Sequence, residues 1–389
     1  MAKLLEGVRV LDLTRYVSGP HCAMMLAEMG AEVIKIEKPG VGEDNRVNGP
    51  WKNGESLLFA SYNLSKESFT LDTRSKEGIE VLKDLIKKSD VLIENYRPGT
   101  MEKMGLSFEE IHKINPKLIL ASISGFGQSG PYRERVCFDG IAQAMGGMID
   151  SVFVSGGVRC TTGGNLGDVF AGVYCALAIG MALYRRSISG EGMHIDTDMY
   201  SSMLSLFSAK LADYKANGVI HAPMGYGPVA NYQTSDGWVR IDAGTAAIFY
   251  RLATFIDNPI LLDPKYKEVK NRLEDNDLIV GIIQDWIGKK NTAEVVEVFN
   301  NAGIPIGVIN DIKMIYEDEH LRERKQIVDI HMDRVGEDIP YFAMPFRVDG
   351  MDMVYKDAPA VGEHNDKVLE EILGYDEEKI KELNEKKII

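Results

Sequence analysis

Cysteine is scarce in this 389-residue chain, and its four copies, Cys22, Cys137, Cys160 and Cys175, form no CxxC pair. A chain of this length buries enough apolar surface to stand without disulfide staples. The four are therefore expected to be reduced thiols in a cytoplasmic protein. The seven histidines are scattered, with no HExxH and no zinc-like spacing, so no metal site is expected. Positive charge is in deficit: 44 Lys and Arg face 58 Asp and Glu, a net charge of −14. That balance argues against general nucleic-acid affinity. No GxxxxGK[ST] run occurs, and the turn Thr14-Arg15-Tyr16-Val17-Ser18-Gly19-Pro20 lacks the GxGxxG fingerprint. Neither a nucleoside triphosphate nor NAD is expected in the usual manner. The opening stretch, Met1 to Gly7, has no signal-peptide apolar core.

Long hydrophobic runs are also rare. The exception lies between Asp168 and Arg185, where no residue is charged. It is about 16 residues, or roughly 24 Å as a helix, short of the ~20 residues that cross a bilayer. No membrane partner is expected. A run that is apolar on all sides predicts a buried helix.

What the chain does have is alternation of short β-rich runs with helical segments. Residues 8–13 and 32–37 predict strands flanking a helix over 21–29 that Gly30 closes. Further strands are expected at 69–71, 90–95, 118–123 and 194–197. Helices are expected at 75–88, 107–114 and 199–216. This pattern predicts an α/β fold with a doubly wound parallel sheet. The texture changes near Asn217-Gly218. A hairpin signal at 232–241 around Ser235-Asp236-Gly237, helices and a strand near 303–308 predict a smaller α+β domain. The expected division is a large domain of residues 1–219 and 325–389, with a small domain of 220–324. A polar helix is expected at 376–386.

The apolar run is entered through Gly163-Gly164-Asn165-Leu166-Gly167-Asp168. Loop amides and the positive end of a helix stabilise a carboxylate there. Asp168 then has two readings, a helix N-cap or a nucleophile. Lys38, Arg97 and Lys103 follow strand ends, where open α/β sheets bind ligands. They suit a multiply phosphorylated ligand or are solvated loop charges. Tyr96 could stack on a base or pack.

Several stretches resemble the class III CoA-transferases, the carnitine/bile-acid-inducible and formyl-CoA transferase family. They are residues 8–20 and 30–37, Glu94-Asn95-Tyr96-Arg97-Pro98-Gly99, 120–131, 138–144, Gly167-Asp168, Ala302-Gly303-Ile304-Pro305 and Gly362-Glu363-His364. The resemblance spans the chain in order. It implies a large Rossmann-like domain built from both chain ends and an interlocked homodimer. It implies transfer of coenzyme A from an acyl-CoA to a free carboxylic acid, with no permanently bound cofactor. Asp168 matches the nucleophile that forms aspartyl anhydride and aspartyl-CoA intermediates. Asp139 matches an acidic neighbour. Gly225 and Gly227 match a mobile glycine loop, and Gly163, Gly164 and Gly167 are candidate amide donors. For CoA, Tyr16, Val17 and Ser18 match the thioester and pantetheine loop, and Lys38 a cation near the nucleotide. Leu71, Asn95 and Tyr96 match the adenine and ribose environment. Arg97, Lys103, Met104, Val136 and Phe138 complete the expected CoA contacts. Met224, Tyr226 and Tyr232 either shape the acceptor pocket or pack in a core.

Two departures point away from formyl-CoA and oxalate. Position 17 is Val where that branch has Gln, and the glycines around 225–227 are sparser than its four-glycine loop. Two rival readings stay open. A racemase of the same superfamily needs an acid/base pair, yet the residue before Asp139 is Phe138, which cannot exchange a proton. A non-catalytic CoA-binding protein would lack the nucleophile that Asp168 supplies.

Overall fold

In the computed structural model, residues 3–220 and 228–389 are described. Six strands form one parallel sheet: β1 (Arg9–Asp12), β2 (Glu32–Glu37), β3 (Glu67–Thr70), β4 (Val91–Glu94), β5 (Ile119–Ser124) and β6 (His194–Asp198). Their spatial order is β3-β2-β1-β4-β5-β6, and every pairing is parallel. The order reverses between β1 and β4, and a crevice opens at such a switch point beyond the strand C-termini.

Alternation along the strands sends side chains to two cores. Val10, Val33, Val91, Ile93 and Ala121 pack on one face with helices α1 (Ser18–Glu28) and α6 (Leu166–Ser189). Leu11, Ile34, Leu92 and Leu120 pack on the other. That second face is covered by α3 (Lys76–Lys87) and by Val368, Leu369, Leu383 and Ile388 from near the chain's end. Helices α2 (Leu57–Asn63), α4 (Phe108–Ile114) and α5 (Asp139–Met145) complete the parts used below.

Several expectations need correction. Helix α1 begins at Ser18, three residues before the predicted start. Pro20 then falls in the first turn, where no intrahelical amide bond is lost. The segment expected as one helix over 199–216 breaks into Met199–Leu204, a 3₁₀ turn Ser205–Phe207 and Ser208–Asn217. The hydroxyls of Ser202 and Ser205 donate to the carbonyls of Asp198 and Ser202 at 2.6 and 2.7 Å. Such back-bonding competes with the helix ladder. Helix α6 runs 24 residues and is not buried all round. Leu177, Met181, Tyr184 and Ile188 are each more than half exposed.

The chain forms two compact units, Met1–Ile220 with Arg322–Ile389, and His221–Leu321. The second holds an antiparallel sheet of Val229–Gln233, Trp238–Asp242 and Ile306–Val308. Its core gathers Tyr232, Val239, Ile241, Ile279, Ile283 and Phe299. In the first unit a hairpin of Ile327–Met332 and Glu337–Phe342, not anticipated from the sequence, packs with Phe59 and Leu64.

Candidate active site

Asp168 is the third residue of α6, and the helix N-cap is Asn165, whose side chain makes no capping bond. Asp139, the first residue of α5, supplies the cap instead. Its Oδ1 accepts from the amides of Gly167 at 2.7 Å and Asp168 at 3.4 Å, and its Oδ2 from Gln143 Nε2 at 2.6 Å. One carboxylate thus satisfies two of the orphan donors of the helix start. The other is released from that duty. The Gly167 amide is spent on Asp139 and is not a free donor for a reacting oxygen, contrary to expectation.

Asp168 lines a cavity of about 550 Å³ with Tyr16, Val17, Phe138, Gly163, Gly164 and Asn165. Burial pushes its carboxyl up to about 6, the Asp139 charge adds to that, and hydrogen bonds from the Ser18 hydroxyl and amide oppose it. A carboxylate raised this far is ionised at pH 7 yet more basic than a solvated Asp, which favours attack on an acyl carbon. Close helix approach makes the Ser18 contact possible. A Cβ on Gly172 would lie 2.8 Å from the Ser18 carbonyl oxygen and 3.4 Å from the Cys22 amide nitrogen. Only glycine lets α1 and α6 meet there.

A second cavity, of about 860 Å³, opens beyond the C-terminal ends of β1 to β4. Lys38, Leu71, Tyr96, Lys103 and Met104 line it, with Arg15 and Arg74. Arg15 and Lys38 share the carboxylate of Asp44, each at 2.9 Å. The Arg15 guanidinium lies 5.7 Å from the Tyr16 ring centroid and 5.6 Å from that of Tyr96. Arg15 belongs to the larger cavity and Tyr16 to the smaller, so this pair stands between them. Tyr16 holds φ +65°, a conformation tyrosine rarely adopts. Glu43 Oε1 accepts from its amide at 2.9 Å and Asn45 Nδ2 donates to its carbonyl at 2.7 Å. Asn95 clamps Arg15, accepting from its amide at 2.9 Å and donating to its carbonyl at 2.7 Å. Strain maintained by so many bonds is a common mark of a working site.

The structure therefore brings together Tyr16, Val17, Phe138, Asp139 and Asp168 in one cavity and Lys38, Leu71, Tyr96, Lys103 and Met104 in another. Ser18 reaches Asp168 rather than a cavity wall, and Asn95 acts on the Arg15 backbone. Arg97 is not gathered with the other cations. It lines a small cavity of about 110 Å³ with Glu94, Glu102 and His194. Val136 is exposed and lines neither large cavity. Tyr232 is core. Gly225, Gly227, Met224 and Tyr226 lie outside the described residues.

Sequence reasoning missed Arg15, Gln143 and Tyr62. Tyr62, on α2, hydrogen-bonds Asn165; burial, then the charges of Asp168 and Asp139, raise its phenol, which stays a donor. Arg15 follows the first strand and is readable there as a cation at a strand end. Tyr62 carried no local signal.

The model of CoA-transferase family III matches this chain over residues 5–365. A succinyl-CoA–L-malate CoA-transferase beta subunit of Chloroflexus aurantiacus is 35% identical over 397 residues, covering 99% of this chain and 98% of that protein. A formyl-CoA:oxalate CoA-transferase of a Bradyrhizobium species is 34% identical over 419 residues, covering 99% and 97%. Among solved structures, a CAIB/BAIF family protein from Brucella suis superposes with a TM-score of 0.84 at 29% identity, covering 96% of this chain and 100% of that one.

Proposed function

The chain belongs to CoA-transferase family III and is an enzyme that moves coenzyme A from an acyl-CoA thioester to a free carboxylic acid; we propose that Asp168 is its covalent nucleophile. The observation that carries this reading is the Asp168 carboxylate, raised, held by Ser18 and facing a cavity, beside an Asp139 that does the capping.

Asp168 attacks the thioester carbonyl, the C–S bond breaks, and CoA thiolate leaves a mixed anhydride behind. The thiolate attacks the aspartyl carbonyl, the anhydride C–O bond breaks, and the donor acid departs as its carboxylate. The acceptor carboxylate then attacks the aspartyl-CoA thioester, forming a second anhydride and freeing thiolate again. Attack of that thiolate on the acceptor acyl carbon regenerates Asp168. No net proton is consumed, and the thioester energy stays in acyl bonds. The amides of Gly163 and Gly164, on the cavity wall, are the proposed donors to the tetrahedral oxyanions.

The nucleotide end of CoA takes the larger cavity and the thioester the smaller, passing the Arg15–Tyr16 step. Lys38 and Lys103 meet its phosphates, and Leu71, Tyr96 and Met104 its adenosine. Residues 1–219 and 325–389 form the CoA-binding domain and 220–324 the second. The active form is a cytoplasmic homodimer, interlocked, with the exposed stripe of α6 covered by the second copy. No cofactor is held permanently. The two curated relatives act on small dicarboxylic acids by name, and a short carboxylic acid is the proposed acceptor class.

The test is mass spectrometry of the enzyme mixed with a panel of acyl-CoAs and trapped with hydroxylamine or borohydride. The expected outcome is modification at Asp168, and loss of transfer in a folded Asp168→Ala variant. Unchanged transfer in that variant would sink the proposal.

A further inference from the structure

Gln143 lies on α5 with no exposed surface. Its amide group has four hydrogen-bonding positions, and all are taken. Nε2 donates to Asp139 Oδ2 at 2.6 Å and to the Gly164 carbonyl at 3.1 Å. Oε1 accepts from the Thr162 amide at 3.0 Å and the Thr162 hydroxyl at 3.2 Å. Thr162 and Gly164 belong to the loop that walls the cavity over Asp168, and Asp139 holds the second and third amides of α6. One side chain thus ties the loop to the helix that carries the nucleophile.

Packing does little to hold that loop. Thr161, Gly163, Gly164 and Asn165 are exposed, and a Cβ added to Gly163 or Gly164 would meet nothing within 4 Å. Hydrogen bonds must set its position, and Gln143 makes three of them.

We propose that Gln143 is a positioning residue that fixes the 161–165 loop as a water-excluding wall over Asp168, so that acyl-enzyme intermediates pass to the acceptor instead of being hydrolysed. This rests on the reading of Asp168 as nucleophile. Hydrolysis is the reaction at stake: water adds to an anhydride carbonyl, the bridging C–O bond breaks, and two carboxylates and two protons are released. The same attack on the aspartyl-CoA thioester releases the Asp168 carboxylate, CoA thiol and one proton. A loosened wall admits that water.

The experiment compares wild type, Gln143→Met and Gln143→Glu, using whichever short-chain acyl-CoA wild type converts fastest. It measures acyl-CoA hydrolysed per CoA transferred, together with the Kd for CoA and the melting temperature. Gln143→Met is expected to raise the hydrolysis ratio about tenfold or more, with CoA binding within about twofold because the nucleotide cavity is built on other loops. In Gln143→Glu the introduced carboxyl can donate to Asp139 only when protonated. Above its pKa, two carboxylates repel. Its ratio is therefore expected near wild type at about pH 5.5 and rising towards pH 8, while the wild-type ratio stays level.

An unchanged ratio in both variants overturns the proposal. So does a parallel fall of melting temperature, CoA affinity and transfer, which a purely structural amide would give. If Gln143→Met does not fold, the Gln143→Glu series decides, and a flat pH series or failure to fold at every pH overturns the proposal. A wild-type enzyme that yields no trapped Asp168 adduct fails at the nucleophile, a different result from a trapped adduct with an indifferent ratio.

Discussion

Asp139 and Asp168 are 29 residues apart in the chain, yet the Asp139 Oδ1 accepts from the Asp168 amide. The division of labour between them sets the chemistry. Asp139 answers the helix amides; Asp168 is left raised to about 6 by burial and by its neighbour's charge. The ionised form is the nucleophile, so the single-turnover rate of acyl-enzyme formation should climb through about pH 6 and level off above it, as stopped-flow would record. Stability should run the other way. Because the folded carboxyl holds its proton to a higher pH than the unfolded one, folding takes up a proton between about pH 4 and 6, and stability falls as pH rises across that range. Asp168→Asn should therefore abolish transfer while raising the melting temperature at pH 7.5 and leaving it nearly unchanged at pH 4. A lower melting temperature at pH 7.5 would contradict the assignment. A carboxylate at the junction of a glycine loop and an apolar run was legible in the sequence. Which of two carboxylates caps the helix was not, because the capping partner sits on another helix.

Helices α1 and α6 form the element pair on which the site depends. Their contact is set by Gly172, one turn beyond Asp168, and it brings the first turn of α1 to the nucleophile. Gly172→Ala places a methyl 2.8 Å from a backbone oxygen, which no side-chain rotation can relieve. The helices must separate, at a cost of about 1–3 kcal/mol of stability. Turnover should fall while the KM for the acyl-CoA stays close to wild type, since Lys38, Leu71 and Tyr96 stand on loops after β2, β3 and β4. Thermal melting and steady-state kinetics on one preparation check both halves. At this scale the sequence was a good guide wherever period and length agreed. Strands such as Val91–Glu94 and Ile119–Ser124 lie within about a residue of expectation because each is short, apolar and bounded by turns. Asn53-Gly54, at φ +51° and +86°, is the favoured two-residue hairpin signal and was present but unread between Trp51–Lys52 and Glu55–Ser56. The hairpin over 327–342 was hidden by Pro340 and by charged residues that make its strands look like loop.

For the whole molecule, the decisive feature is the outer stripe of α6. Leu177, Met181, Tyr184 and Ile188, each more than half exposed, recur at spacings of four, three and four residues. That is the seam of a helix that packs against another helix. The helix is long and apolar enough to cross a membrane, but Ala171, Cys175, Ile179 and Ala182 on its inner side belong to the core of the parallel sheet. The stripe is one face of a core helix, and it needs a cover. A second copy offers the same stripe, and a self-complementary face is what a two-fold dimer uses. The sequence reading of α6 as buried on all sides is wrong for the chain by itself, and the proposed second copy is what would cover the stripe. Replacing Leu177 and Met181 together by Glu should shift the protein from dimer to monomer in light scattering and lower its melting temperature. In wild type the melting temperature should rise with protein concentration, as assembly-linked folding requires. The same double variant left dimeric would mean that the stripe is covered by something else, and binding of wild type to lipid vesicles would then name the membrane surface as its partner.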